Sequence, residues 1–90
     1  MDRKQKYVRL KRYNEIIIFP EVIQHSKFEY FDVVSAGFCY VNPETKTVDC
    51  FGESISLRLK SNPIEDTEYA TMQIFGYEAY DNLIVSRKNE

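Results

Sequence analysis

The chain has few of the residues that carry catalysis and metal binding. It contains no tryptophan, one histidine, two cysteines and three glycines, and the glycines stand apart from one another. A phosphate-binding loop needs clustered glycines, so none is predicted. A structural zinc site needs about four ligands, and two cysteines with one histidine fall short of that number. We therefore expect no metal, no cofactor and no catalytic residue.

Long apolar stretches are also lacking. The longest run covers residues 16–19, which is far too short to cross a bilayer. The polar N-terminus shows no apolar segment of the kind found in signal peptides. We expect a cytoplasmic protein with no membrane partner. In that reducing compartment Cys39 and Cys50 should be free thiols.

Aromatic residues, by contrast, are plentiful. Seven tyrosines and six phenylalanines make up 14% of the 90 residues, beside 43% hydrophobic and 29% charged residues. Such a composition is typical of a folded chain rather than a disordered one. The length predicts a single domain over residues 1–90, with one core and little room for a deep cavity. Tyrosines suit both a half-buried sheet and a contact surface.

Five segments have the patterns of β-strands: residues 7–10, 15–19, 33–41, 47–51 and 54–60. Segment 15–19 is uniformly apolar, which indicates a strand covered on both faces. Segment 54–60 alternates strictly, so Ile55, Leu57 and Leu59 should face the core. The predicted fold is α+β, an antiparallel β-meander of about 4–5 strands with one helix from the C-terminal half packed on one face.

The helix is predicted over residues 63–75. Ser61 or Asn62 should cap it, Pro63 suits its first position, and Gly76 can end it. Helical spacing predicts a core face made of Ile64, Thr67, Thr71, Ile74 and Phe75. A charge introduced at Ile74 should then be strongly destabilising. The acidic residues of the first turns should lie in solvent near the positive end of the helix dipole; they are Glu65, Asp66 and Glu68.

Two regions are less regular. Segment 21–32 should be irregular or a helical turn, and four of its side chains could close one end of the core: Val22, Ile23, Phe28 and Phe31. After the helix, residues 83–85 form a short strand, or else the helix continues through Gly76 and the tail is disordered. Gly37, inside a predicted strand, indicates a bulge or the close approach of another backbone.

His25 and the two cysteines are the residues with the most reactive side chains. His25 could serve as a general base, but no nucleophile motif accompanies it, and a hydrogen bond to the backbone is the alternative. Cys39 and Cys50 bracket the turn at Pro43 and should lie opposite each other on one face of a hairpin. There they would act as small buried hydrophobic residues.

Charge is distributed unevenly along the chain. Residues 1–12 hold six bases and one acid, whereas residues 61–81 hold five acids and no base. Such polarity can steer association, while a net charge of −2 gives no reason to expect a nucleic acid partner. Two hydroxyls and two cations on one strand face could hold an anion. The candidate ligand-binding residues are therefore Ser54, Ser56, Arg58 and Lys60, together with His25.

Several short stretches resemble small, uncharacterised proteins carried by phages and prophages. They are residues 18–20 followed by Ile23 and His25, then residues 35–38, residues 52–57, and Lys60 with Ser61. The resemblance implies an accessory gene of a mobile element. Small accessory proteins of that kind often act by binding, including against host defence systems. The resemblance implies no particular activity.

Together these observations favour a non-enzymatic binding protein. One helix cannot cover both faces of the apolar strand 15–19, so the second face must be covered by segment 21–32, by the tail or by another copy of the chain. Of these we expect another copy, in a homo-oligomer with a dimer favoured, or else association with a host protein. The open sheet face, or an edge strand such as 7–10, would make the contact, with Tyr40 and Tyr7 as candidate interface residues. Two alternatives stay open. One is a protein that binds a small anion or nucleotide at Ser54, Ser56, Arg58 and Lys60, and the other is a small enzyme that uses His25.

Overall fold

A computed structural model describes residues 3–88. Six strands precede two helices: β1 (Lys4–Leu10), β2 (Ile16–Phe19), β3 (Val33–Asn42), β4 (Thr47–Phe51), β5 (Glu53–Ser54), β6 (Leu59–Lys60), α1 (Pro63–Phe75) and α2 (Tyr77–Lys88). Short 3₁₀ turns occupy Arg12–Asn14 and His25–Phe28. The predicted α+β class with an antiparallel sheet is confirmed, with two helices in place of one. None of the helices among the described residues is long and apolar enough to cross a bilayer.

Four strands form one antiparallel sheet in the order β2-β1-β3-β4, and β5 pairs with β6 in a separate hairpin. The turn between β3 and β4 forms as predicted, because the Asn42 side chain accepts hydrogen bonds from the backbone N–H groups of Glu44 and Thr45. Cys39 and Cys50 are direct partners across this hairpin. The prediction that 7–10 is an edge strand is wrong, since β1 lies between β2 and β3.

Helix α1 covers one face of the sheet, which we call the helix face. Its buried core consists of Tyr7, Ile16, Cys39, Val48 and Cys50 of the sheet and Ala70 of α1. Polar side chains of α1 also bind both sheet edges. Thr67 and Thr71 accept hydrogen bonds from the β4 N–H groups of Cys50 and Val48, at 2.9 and 3.0 Å. At the opposite edge Gln73 accepts a 2.8 Å bond from the N–H of Ile16 in β2.

The burial pattern of α1 differs from the prediction. Thr67, Thr71 and Ala70 are buried as expected, but Ile64 and Ile74 are 65% and 48% exposed. Asp66, expected in solvent, is fully buried. The helix packs through its short side chains because these let it approach the sheet closely enough to bind the edge strands. A charge at Ile74 should therefore cost little, contrary to the expectation from spacing alone.

The segment after α1 is helical. Gly76, with a φ of 95°, ends α1 where the chain bends, and α2 follows immediately. The predicted strand at 83–85 is wrong, because these residues belong to α2, and so is the expected disorder for the tail up to residue 88. The last two residues lie outside the described part of the chain. Gly37 is confirmed as a close-approach position, since a Cβ there would clash with the backbone oxygen of Phe51.

The second face of the sheet, which we call the aromatic face, is covered by irregular segments. Its buried residues are Val8, Leu10, Phe19 and Ala36, and against them pack Phe28 from the second 3₁₀ turn and Leu57 and Leu59 from the small hairpin. Val22, Ile23 and Phe31 were expected to close the core, but they are 90%, 37% and 53% exposed. Within this segment it is the side chains of His25 and Phe28 that pack into the aromatic face.

The prediction of one strand over residues 54–60 is wrong. Only two residues at each end are extended, and residues 55–58 form a turn with Arg58 at a φ of 56°. The Ser54 hydroxyl accepts a hydrogen bond from the N–H of Leu57 at 3.2 Å, which stabilises the turn. Leu57 and Leu59 still face the core, whereas Ile55 is 85% exposed. Alternating polarity over seven residues suits such a hairpin as well as a strand.

Candidate functional site

The predicted row of ligand-binding residues does not form. Ser54 is buried and its hydroxyl already serves the turn, while Ser56, Arg58 and Lys60 are exposed on different parts of the hairpin. Because residues 55–58 turn, the four side chains do not share one strand face. The geometry that suggested anion binding is therefore absent from this hairpin.

Two of the predicted residues, His25 and Ser56, instead line one open groove of about 560 Å³ on the aromatic face. We call it the His25 groove. Its other lining residues are Lys6, Gln24, Phe38, Gly52, Glu53 and Ile55. This combination has no local sequence signal, because the groove joins four separate segments whose contact depends on the path of the loops.

His25 is buried at the base of this groove. Its Nε2 lies 2.8 Å from the backbone oxygen of Gly37, an acceptor, so Nε2 carries the proton and donates. Burial lowers the pKa of His25 and the nearby charge of Lys6 acts in the same direction, while the hydrogen bond to Gly37 opposes them; the net pKa shift is downward, so the ring is mainly neutral at pH 7. Among the described residues Nδ1 has no hydrogen-bond partner. The predicted backbone hydrogen bond is thus observed, and Nδ1 remains available as an acceptor.

The histidine ring belongs to a continuous series of aromatic side chains, which we call the aromatic row. Neighbouring ring centroids lie between 4.7 and 6.2 Å apart. In spatial order its members are Tyr40, Phe51, Phe38, His25, Phe19, Phe28 and Phe31. The middle of the row is packed against the sheet, but its ends are open, with Tyr40 38% and Phe31 53% exposed. Rings held on both sides by other rings form a rigid apolar surface.

Charges of opposite sign flank the Tyr40 end of this row. Lys4 of β1, Tyr40 of β3 and Asp49 of β4 are neighbours across the sheet, so all three side chains lie on the aromatic face. The Lys4 ammonium lies 4.9 Å from the centroid of the Phe38 ring. Lys4 also forms a 3.4 Å ion pair with Glu21, in which both side chains are 44% exposed. A cation, an aromatic centre and an acid thus follow one another across three strands.

Tyr7, the other predicted interface residue, is fully buried, so that prediction is wrong. Its hydroxyl donates to Asp66 beneath α1, and burial together with this hydrogen bond raises the pKa of Tyr7. Asp66 also accepts from the Ser35 hydroxyl at 2.9 Å and from the N–H of Asn62 at 2.9 Å. Arg9 places its Nε 3.2 Å from the same carboxylate. This buried network fixes the start of α1 to the sheet.

Sequence reasoning missed the network because each of its members, taken alone, fits a more common structural role. Asp66 resembles a first-turn acid, and Arg9 resembles an outward-facing strand residue. The one available signal is the period of β1, since Tyr7 and Arg9 alternate with the apolar residues Val8 and Leu10. That pattern predicts that Tyr7 and Arg9 lie on the same face of the sheet, beneath the element that covers this face.

The two cysteines also lie in the buried core of the helix face. Both are free and buried, and burial raises the pKa of Cys39 to about 12 and also raises that of Cys50. Thiolates are the reactive form, so neither thiol is a nucleophile at neutral pH in the folded protein. Across residues 3–88, no group of three or more histidine, cysteine, aspartate or glutamate side chains is placed to hold a metal ion.

Comparison with known proteins adds no relative. No protein-family model matches the chain, no curated protein matches its sequence, and no solved structure matches its fold.

Proposed function

We propose that this chain is a protein-binding protein that acts through the Tyr40 end of the aromatic face, and that the partner best suited to this surface is a second copy of the chain. The observation that carries the proposal is the transverse order of Lys4, Tyr40 and Asp49 on neighbouring strands. An aromatic centre between a cation and an acid is complementary to itself.

A two-fold axis parallel to the strands accounts for this complementarity. Rotation about such an axis places two aromatic faces against each other and exchanges left and right. Lys4 of one copy then meets Asp49 of the other, and the two Tyr40 rings lie near the axis. Both charge pairs form at the rim of the contact, where they fix orientation and steer encounter more than they add affinity.

The apolar centre of the surface supplies the binding energy in this proposal. Tyr40 stacks on Phe51 with their centroids 5.3 Å apart, so its ring is held in place before association. Rigid aromatic side chains at the centre of an interface commonly dominate its energetics. Beside them the His25 groove and the 85% exposed Ile55 offer a pocket and an apolar contact for a side chain of the partner.

The test is the mass in solution, measured by light scattering at micromolar concentration. We expect twice the 10.7 kDa mass of one chain. Tyr40→Ala should weaken the dimer by about tenfold or more. Tyr30→Ala is the matched control, because Tyr30 is 93% exposed and is not part of the aromatic row. It should leave the dimer intact.

Charge reversal tests the two-fold arrangement itself. Lys4→Glu and Asp49→Lys should each weaken the dimer, because each places like charges opposite one another. An equal mixture of the two variants should associate again, since every rim pair in the mixed dimer has opposite signs. A mass of 10.7 kDa for the unmodified chain at all concentrations would eliminate self-association. Failure of the mixture to associate would eliminate this axis.

The same surface is also the proposed contact for a host protein, the partner that the resemblance to phage and prophage proteins suggests. Rim charges and an aromatic centre also suit a foreign partner with the reverse charge order. A monomeric chain whose binding to an isolated host protein is lost in Tyr40→Ala and kept in Tyr30→Ala would favour that reading over self-association.

A further inference from the structure

A second cavity lies on the other side of the molecule, between the two helices. It has a volume of about 340 Å³ and is lined by Glu65, Glu68, Tyr69, Met72, Tyr77 and Tyr80. We call it the interhelix pocket. It shares no residue with the aromatic face, because its lining comes entirely from α1 and α2.

The lining of the interhelix pocket combines two chemical features. Three tyrosine rings and a methionine provide apolar and π-electron surface, and two carboxylates provide negative charge. The faces of aromatic rings attract cations, and an enclosing set of rings suits ammonium groups that carry methyl groups. Two carboxylates are fewer than a protein site for a metal ion usually supplies, and no group of three or more histidine, cysteine, aspartate or glutamate side chains meets at this or any other point of residues 3–88.

One of these rings already binds a cation within the chain. The guanidinium carbon of Arg9 lies 5.2 Å from the centroid of the Tyr69 ring. Arg9 is held there by Asp66 and Glu65. A cation, a tyrosine ring and a carboxylate are thus already combined where Tyr69 and Glu65 meet the sheet.

The carboxylates retain capacity for a ligand. Glu65 uses Oε2 to accept from Asn62 and to pair with Arg9, and Glu68 uses Oε2 to accept from Arg87 at 2.7 Å. Within the described residues the Oε1 atoms of both have no partner. Each carboxylate shares its charge with an arginine, Glu65 with Arg9 and Glu68 with Arg87, and its free oxygen still offers an acceptor to a positive ligand.

We propose that the interhelix pocket binds a compact organic cation, an alkylammonium group that carries methyl substituents. The pocket lies at the small end of the range of about 300–1,000 Å³ typical of ligand sites, which suits a head group rather than a large molecule. The rings surround the methyl groups, and the Oε1 atoms of Glu65 and Glu68 balance the charge. This group occurs in choline-like small molecules and in methylated lysine side chains.

Titrations followed by two-dimensional NMR test this site on the full chain. The probes are choline, its neutral isostere 3,3-dimethylbutanol, a peptide with one trimethyllysine and the same peptide with unmodified lysine. We expect saturable shifts in α1 and α2 with choline or with the trimethyllysine peptide. Binding of the uncharged or unmethylated counterpart should be weaker by about tenfold or more. If choline binds as tightly as the trimethyllysine peptide, the methylated ammonium group alone is sufficient and a free small molecule can be the ligand. If only the peptide binds, the ligand is a protein side chain.

Variants separate this site from general surface effects. Tyr77 is 75% exposed at the rim, so Tyr77→Ala should leave the fold unchanged and weaken cation binding by about tenfold. Glu65→Gln should weaken it as well, and Tyr30→Ala should not. Equal shifts from choline and its neutral isostere, or unchanged affinity in Tyr77→Ala, would overturn the proposal. So would the lack of any response to all four probes.

Discussion

The two faces of the sheet are closed in different ways. The helix face is covered by one regular helix, which is fixed by hydrogen bonds to both edge strands and by a buried carboxylate. The aromatic face is covered by a 3₁₀ turn and by the small hairpin β5–β6, which leave the ends of the aromatic row open. A helix satisfies its own backbone and needs only side chains to dock, whereas irregular segments cover a sheet incompletely. The comparison indicates that the first face maintains the fold and that the second is available for contact.

The largest effect is expected for a substitution of Asp66, the buried carboxylate beneath α1 on the helix face. Asp66→Ala leaves Arg9 without its main buried partner and removes the acceptor of Tyr7, Ser35 and the Asn62 N–H. We expect a loss of about 3–5 kcal/mol in the free energy of unfolding, measured by urea denaturation. Glu78→Ala, an exposed acid on α2, is the control and should change stability by about 0.5 kcal/mol or less. Equal losses in the two variants would mean that the buried network does not hold α1.

A smaller effect is expected where α1 binds the β4 edge. Thr67→Val and Thr71→Val keep the side-chain shape but leave the buried N–H groups of Cys50 and Val48 without an acceptor. Each should cost about 1–3 kcal/mol. Hydrogen exchange sharpens the result, because each variant should speed exchange most at the one amide that lost its partner. Uniform acceleration along β4 would show that the hydroxyls act only through packing.

The smallest effect concerns His25, the buried polar group of the aromatic face. Its folded-state pKa lies below the unfolded value of about 6.5, so between these two values the unfolded chain binds more protons. The contribution of His25 to stability should be constant above about pH 7 and should fall as the pH drops from about 6.5 through the lowered pKa. His25→Gln can keep the bond to Gly37 and should remove this slope. Melting temperatures between pH 7.5 and 5 measure it, and identical slopes in both proteins would contradict the assignment.

Sequence reasoning anticipated the elements that are set by local chemistry. The turn at Asn42 and Pro43, the partnership of Cys39 with Cys50, the start of α1 at Pro63 and the close approach at Gly37 all follow from short-range rules. It failed for side chains whose burial is determined by tertiary contacts. Ile64 and Ile74 have helical spacing but lie outside, because Thr67 and Thr71 gain hydrogen bonds to β4 that isoleucine cannot make.

The candidate sites were less predictable than the fold for the same reason. His25 and Tyr40 were selected by residue type, and both lie on the aromatic face. Their neighbours in space, such as Lys6 and Phe38, come from other strands and carry no local signature. The interhelix pocket was beyond prediction, since it exists only because Gly76 turns the chain and lays α2 against α1.

The hydrogen bonds between α1 and both edge strands bear on how the protein aggregates. Exposed strand edges template pairing with other chains, and here part of each edge is occupied by one helix through Gln73 on β2 and Thr67 and Thr71 on β4. Undocking of α1 uncovers the two edges at once, even while the sheet remains folded. The tendency to aggregate should therefore follow the frequency of this local opening rather than global unfolding. Conditions that loosen α1 alone would therefore expose two strand edges that can pair with other chains.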